Sequence, residues 1–490
     1  MARLLRSTLL VACVSLVTAS SGNALAQPFA AHRGGLVQVC FALANRPEAR
    51  RSLEVPERAV RLLAVLGKVT RGPCETELLP DDLELARITA GEQAEDQTAR
   101  LLQHTVDPPL DIDELNSIPP DAAVMGQCID NAYAAADEVG YSYAIVKSGQ
   151  LAYMGQGGSA RAPWEADFPN VAMTPLKPMT IASISKTITA VAVMKLLEQN
   201  PSINLDDPFY PLIEDKFSGQ VAFDGGLIAT LPGPGVAAVS IRNLLMHRSG
   251  LTPGLGCGYA NLAKLIASGV VGTPGATYDY ENSNFCLLRE VIEQVSGMDY
   301  IDFVQDNVLG PMGITDMACE PEDTDPTLYY NTIGDPGYLW GDFNATCSAY
   351  GWNASAVDLA QFMANVRVNT VLTPESTEEM QNGSCLGGYC LGWIRSDNAI
   401  GVHHWHNGDW IDSDPCDVPG ALDDIIFQPS TCPRGFNGTV MRFQLGIDAV
   451  LLVNTRGGTG IHPGLKSEVT ILRECFAEAF LDANDIARVP

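Results

Sequence analysis

The sequence predicts an α+β (α/β) fold: an antiparallel sheet assembled from both chain ends, flanked by helices, with a mainly helical lobe inserted. Three observations carry this prediction. Apolar residues alternate in "YSYAIVKSGQLAYMGQGG", which reads as two strands turning at Ser148-Gly149. Helical patterns dominate from residue 181 to about 380. Strand patterns return in "GVHHWHNG", "TVMRFQL" and "DAVLLVNT". Strands at both ends with helices between them fit one sheet closed by the two ends of the chain.

Taken in order, residues 1–26 read as a secretory signal peptide. Arg3 and Arg6 give a positive start, "LLVACVSLV" an apolar stretch, and Ala24-Leu25-Ala26 a small-residue cleavage site. Periplasmic or secreted localisation follows as the expectation. No later run is long and unbroken enough to span a bilayer; "GGLIATLPGPGVAAVSI" is interrupted by Pro232 and Pro234. Residues 27–120 read as an N-terminal extension with one strand-like run, "LVQVCFAL", and a helix-like stretch, "PERAVRLLAVLGKV". The extension ends in the acidic, proline-rich linker "DPPLDIDELNSIPPD". Residues 121–490 form the main domain, opening on the helical "CIDNAYAAADEVG", with the helical lobe at roughly 201–384.

The 490-residue chain carries 58 Asp+Glu against 30 Lys+Arg, a net charge of −28. A field of that sign repels nucleic acid and anionic membrane surfaces. Of 13 Cys, Cys13 leaves with the signal, and the even remainder suits an oxidising compartment. Cys385–Cys390 and Cys416–Cys432 lie in Gly- and Pro-rich loops and read as local bridges. Cys319–Cys347 and Cys40–Cys74 are further candidate pairs, and Cys286, in an apolar helical run, reads as a buried free thiol.

The chemistry centres on "IASISKTI", residues 181–188. Residues three apart share a helix face, so Ser183 meets Lys186 while Ser185 points elsewhere. Lys186 has Ala182, Ala190 and Val193 on its own face. Partial desolvation there favours the neutral amine, a base for the serine proton. Further on, Tyr280-Glu281-Asn282 opens an apolar helix that ends at Gly297. A lysine ammonium beside Tyr280 favours its phenolate, which makes it a second candidate base or proton relay, and Asn282 offers an amide to Lys186 and the substrate. In "HHWHNGDW", His404, His406 and Gly408 face one way along a strand and His403 the other. Gly408 would let a substrate approach the strand closely, with the Asp409 N–H beside that of Ser183 as oxyanion donors. Three histidines in four residues raise a metal site, but no carboxylate or cysteine joins them at ligand spacing; no metal and no cofactor are expected.

In this order, S-x-x-K at Ser183–Lys186, Y-x-N at Tyr280–Asn282 and H-x-G at His406–Gly408 resemble the serine β-lactamase-like superfamily of class C β-lactamases, penicillin-binding DD-peptidases and related esterases and D-amino-acid peptidases. "LLMHRSGL", "VLGPMGITDM", "NASAVDLAQFM" and "AVLLVNT" extend the resemblance over roughly 125–480. It implies an exported serine hydrolase that forms an acyl-enzyme on esters or D-amino-acid amides and peptides. Alternatives are a β-lactam hydrolase or DD-carboxypeptidase, and a non-hydrolysing sensor or degenerate scaffold. The expected partner is a small molecule or peptide with a reactive carbonyl. Ser396-Asp397-Asn398 spells S-D-N but stands almost on the strand of His406, too far from the helical lobe to serve as the second motif.

Two departures bear on substrate. His406 stands where many relatives carry lysine and is expected to donate to Tyr280 or substrate. Asp409, where small or hydroxyl residues are common, would disfavour carboxylate-bearing substrates, an effect that Asn454 and Arg456 on the following strand would partly offset. The insert "DWIDSDPCDVPG" reads as a flap narrowing access.

Overall fold

The computed structural model describes strands between residues 36 and 71 and, apart from short loop stretches and the segments 413–433 and 456–466, residues 119–483. The first strands, β1 (Leu36–Leu43), β2 (Arg46–Pro56) and β3 (Val69–Arg71), form a small antiparallel sheet in the order β2-β1-β3. "LVQVCFAL" is therefore a strand. The helix-like stretch after it lies outside the described residues, as do the pairs Cys40–Cys74 and Cys416–Cys432 and most of the insert after Trp410.

Helix α1 (Ala122–Tyr133) is capped by the Asp121 carboxylate, which accepts from the Ala123 N–H at 2.8 Å. Strands β4 (Gly140–Lys147) and β5 (Gln150–Arg161) form the expected hairpin. Its two turn residues, Ser148 (φ 52°) and Gly149 (φ 78°), both take positive φ, the geometry that matches the strand twist. Short β6 (Val171–Ala172) and β7 (Met179–Thr180) lead into α2 (Ser185–Gln199). The following stretch holds the ribbon β8 (Gln220–Ala222) and β9 (Ile228–Thr230), then α3 (Ile241–Leu245), α4 (Tyr259–Ser268), α5 (Asn282–Ser296) and α6 (Tyr300–Val304). Next come β10 (Asn353–Ala354), which pairs with β7, α7 (Ala356–Arg367) and α8 (Pro374–Glu378). The chain finishes with β11 (Ile394–Asn398), β12 (Gly401–Asp412), β13 (Arg434–Arg442), β14 (Ile447–Val453) and α9 (Glu468–Ala483).

The main sheet has seven strands in the order β11-β12-β13-β14-β4-β5-β6, antiparallel throughout. The two chain ends meet where β14 pairs with β4, Leu451 opposite Tyr143. Every residue of β14 is buried, because helices cover both faces of the sheet. Val450 and Leu452 pack towards α2 and α7; Ala449, Leu451 and Val453 pack towards α1 and α9. The one charge in this strand, Asp448, is fully buried and paired: Arg367 of α7 donates to it at 2.7 and 2.8 Å, and Arg442 at 3.3 Å. A buried carboxylate without such partners would cost several kcal/mol, on the order of ~3–5.

Helix α2 explains the unusual composition of "SKTITAVAVMKLLEQ". Residues Ser185–Met194 are all buried, so the helix runs through the core between the sheet and α5 and carries no wide polar face. Lys186 is a core residue, whereas Lys195, further along the helix, is only half-buried.

Four disulfides are present among the described residues: Cys128–Cys475, Cys257–Cys286, Cys319–Cys347 and Cys385–Cys390. The second corrects the free-thiol expectation for Cys286. The loop before α4 folds back over α5 and brings Cys257 to it, a contact that apolar helical spacing does not reveal. The first joins α1 to α9, a pairing that the sequence did not point to. Among the described residues, no helix is long and apolar enough to cross a membrane.

Candidate active site

Ser183 lies in a 3-10 turn, Ala182–Ile184, immediately before α2, and is half-buried. Ala182 ahead of it takes φ 41°, a region that side-chain-bearing residues rarely adopt. Such strain persists only where surroundings impose it. Here the Ile181 N–H donates to Trp352 O at 3.0 Å, and Gly408 of β12 presses on the Ile181 carbonyl. A Cβ at Gly408 would stand 2.0 Å from that oxygen. Glycine is therefore required here for the packing of the serine-bearing turn against the strand. Ser185 serves the scaffold: its hydroxyl accepts from the Trp352 N–H at 3.2 Å.

Lys186 is fully buried, with Nζ 3.0 Å from Ser183 Oγ, 2.7 Å from Asn282 Oδ1 and 2.8 Å from the Ala349 carbonyl. These three oxygens are uncharged. Burial holds the Lys186 amine well below the usual lysine range, opposed by the more distant negative charge of Asp409. The amine also lies over the rings of Tyr280 at 4.9 Å and Phe285 at 5.7 Å. Asn282 is the first residue of α5, so the helix start delivers its amide while the apolar face, Phe285, Leu288 and Ile292, fixes the helix in the core.

Tyr280 precedes that helix, with its phenol near enough to Ser183 for the serine hydroxyl to favour the charged form slightly. The side chain is 39% exposed, yet enclosure of the phenol dominates and pushes it well above its ordinary value. Burial thus works against the expected phenolate, as it works against charge on Lys186. His247 backs Tyr280 with ring centroids 4.2 Å apart. Its Nδ1 accepts from the Glu281 N–H at 3.1 Å, and its carbonyl accepts from the Asp279 N–H at 2.8 Å. The imidazole is fully buried and held well below its usual range, chiefly by burial.

The histidines of β12 separate. His403 faces α9, where its Nε2 accepts from Arg473 Nε at 2.9 Å. His404 Nε2 meets Asn382 Oδ1 at 3.0 Å. His406 Nδ1 is 2.6 Å from Asn407 O, and its Nε2 is 3.1 Å from the Tyr389 hydroxyl. The expected bond from His406 to Tyr280 is absent; their ring centroids stand 6.4 Å apart with Tyr389 alongside both. Burial pushes His406 down to about 3, with Lys186 adding to the effect.

Asn454 is not at a substrate surface. It is fully buried, and its Nδ2 donates to the carbonyls of Ser159 and Leu328, both at 3.0 Å, tying β14 to β5 and the 328–330 segment. Arg456 lies outside the described residues. Asp409 is exposed, and its charge acts on both Lys186 and Tyr280. Beside it, Trp410 packs on Tyr350 with the rings tilted and their centroids 5.2 Å apart, and Phe343 completes an aromatic wall. The S-D-N decoy sits on β11, where Ser396 Oγ accepts from Trp405 Nε1 at 2.9 Å.

Three groups at the site escaped sequence reading. The Ala349 carbonyl had no signal at all. His247 stood in "LLMHRSGL", which was noticed without a role. Tyr389 carried no signal beyond lying between Cys385 and Cys390.

A sequence profile for the Beta-lactamase family matches residues 125–460. Among curated proteins, the chain is 29% identical over 150 residues to Penicillin-binding protein 4* of Bacillus subtilis, covering 28% of this chain and 29% of that one. It is 28% identical over 158 residues to the ML-236A carboxylate methylbutanoyltransferase mlcH of Penicillium citrinum, covering 29% of this chain and 37% of that one. The chain thus spans only about a third of the length of these relatives. Among solved structures, D-amino acid amidase from Ochrobactrum anthropi SV3 superposes with a TM-score of 0.54 at 19% identity, over 73% of this chain and 98% of that one. A class C beta lactamase from Rhodobacter sphaeroides gives 0.53 at 16%, over 74% and 99%. At these identities the structural likeness concerns the fold, while the profile match, over well more than half of the sequence, shows that the chain belongs to the Beta-lactamase family.

Proposed function

We propose that this chain is an exported serine hydrolase that works through an acyl-enzyme on Ser183. The observation that carries the reading is the bonding of Lys186. A neutral amine has two N–H donors and one lone pair. Asn282 Oδ1 and the Ala349 carbonyl take the two donors, and the lone pair is left for the Ser183 hydroxyl proton. Lys186 is then the base that removes this proton as Ser183 Oγ attacks the carbonyl carbon. The backbone N–H groups of Ser183 and Asp409 are the proposed donors to the oxyanion. Tyr280, protonated and beside Ser183, passes a proton to the leaving oxygen or nitrogen and is replenished from Lys186. Water then repeats the sequence on the acyl-enzyme and releases the acid.

The surroundings favour particular substrates. His406 is neutral and occupied, so it supplies no cation for a substrate carboxylate, and Asp409 adds a negative charge nearby. Trp410, Tyr350 and Phe343 offer an apolar surface to an acyl or side-chain group. Uncharged or cationic esters and D-amino-acid amides with an apolar group therefore rank ahead of anionic β-lactams.

Intact-mass spectrometry during turnover of a short-chain chromogenic ester tests the reading. A transient acyl adduct on wild type, absent from Ser183→Ala, is expected. Turnover that survives in Ser183→Ala, or folded wild type with neither adduct nor turnover, would exclude it.

A further inference from the structure

We infer that Tyr389 is a positioning residue of this site: its hydroxyl holds His406 and its ring backs Tyr280 and His247, so that the third motif reaches the nucleophile through Tyr389. The inference rests on the acyl-enzyme reading above. It begins with the tautomer of His406. The Asn407 carbonyl can only accept, so at 2.6 Å His406 Nδ1 carries the proton. Nε2 is then an acceptor, and the Tyr389 hydroxyl at 3.1 Å donates to it. Both ring nitrogens are engaged and the imidazole is 1% exposed, so His406 has no bond left to give Tyr280 or a substrate.

Tyr389 occupies the space between. It is 3% exposed, and its ring meets His247 edge-on at 4.9 Å, His406 edge-on at 5.9 Å and Tyr280 edge-on at 6.2 Å. The three rings of Tyr280, His247 and Tyr389 pack on one another, so His247 and Tyr389 back the Tyr280 ring from the protein side.

The segment carrying Tyr389 is itself fastened to the helix of Lys186. Cys390 is bridged to Cys385, and the Cys390 N–H donates to Trp393 O at 2.7 Å. Gly392 (φ 74°) lies so close to α2 that a Cβ would stand 2.6 Å from Ala190 Cβ and 3.1 Å from the Lys186 carbonyl. One short stretch therefore ties together the strand of His406, the ring of Tyr280 and the backbone of Lys186.

The test is a double-mutant cycle on the full chain with Tyr389→Phe, His406→Leu and the pair, read by kcat and KM for the chromogenic ester. Tyr389→Phe keeps the ring, removes the hydroxyl and leaves a buried acceptor unmatched; kcat should fall about tenfold with KM little changed. The double variant should be no worse than the poorer single variant, because both remove the same bond. In parallel, the ¹⁵N resonance of His406 Nε2 should move towards the non-hydrogen-bonded position in Tyr389→Phe, a readout that needs no turnover. Unchanged kcat with an unmoved Nε2 resonance, or losses that multiply in the double variant, would overturn the inference while leaving Ser183 acylation intact. A folded wild type without a Ser183 adduct overturns the underlying reading instead, and this inference with it.

Discussion

At Lys186 the decisive fact is what it lacks within bonding distance, a carboxylate; its three partners are neutral oxygens. Burial then favours the neutral amine, because an ammonium among neutral groups gives up more hydration than hydrogen bonds to them return. Lys186→Ala should lower acylation by about 10²–10⁴-fold, the usual worth of a general base. Lys186→Arg should not restore it, since a guanidinium keeps its proton. Rapid-quench acylation rates check both. Tyr280→Phe should spare an activated ester with a good leaving group and cost an anilide about 10²-fold, because only the poor leaving group needs a donated proton. Equal losses on both substrates would remove the proton-relay role. At this scale the sequence was most informative where chemistry is local. Ser183 and Lys186 meet because three residues make one helical turn. It was least informative where a side chain is bent back into the protein: neither the interior bracing by Asn454 nor the Tyr389 partner of His406 follows from strand alternation.

Elements place these residues, and the covalent links fall beside them. Cys286 is one turn beyond Asn282, Cys347 is two residues before Ala349, and Cys390 follows Tyr389. The fourth bridge, Cys128–Cys475, sits on the opposite face of the sheet between α1 and α9, away from Ser183. Replacing Cys128 and Cys475 together by serine should therefore lower unfolding free energy by about 2–4 kcal/mol and leave the acylation rate unchanged; denaturant melts beside ester kinetics check this. Strands and long helices were legible from periodicity, and the β4–β5 turn from Ser148-Gly149. Cys385–Cys390 and Cys319–Cys347 were anticipated as pairs, but Cys257–Cys286 and Cys128–Cys475 were not, since they depend on distant segments folding back, as the loop before α4 does to reach Cys286.

Across the whole molecule, one sheet drawn from both chain ends carries His403, His404 and His406 inside it, each pushed down to about 3, first by burial. Unfolding returns each to about 6.5, so the unfolded state binds more protons between these values. The stability that they contribute is present above about pH 6.5 and lost as pH falls towards 3. The melting temperature should drop steadily on acidification from about pH 7 to about pH 4.5, and replacing His404 by glutamine should flatten that slope. The same low-dielectric interior bears on Ser183, whose proposed activator is a neutral lysine. The most direct measurement is the rate at which a fluorophosphonate modifies Ser183 as a function of pH, followed by intact mass. The rate should already be level well below the ordinary lysine value near ~10.4, with the limb where Lys186 takes a proton displaced to the acid side of that value. A rate that climbs about tenfold per unit towards the ordinary lysine value near ~10.4 would mean that Lys186 is charged in the folded protein, and would contradict its proposed role.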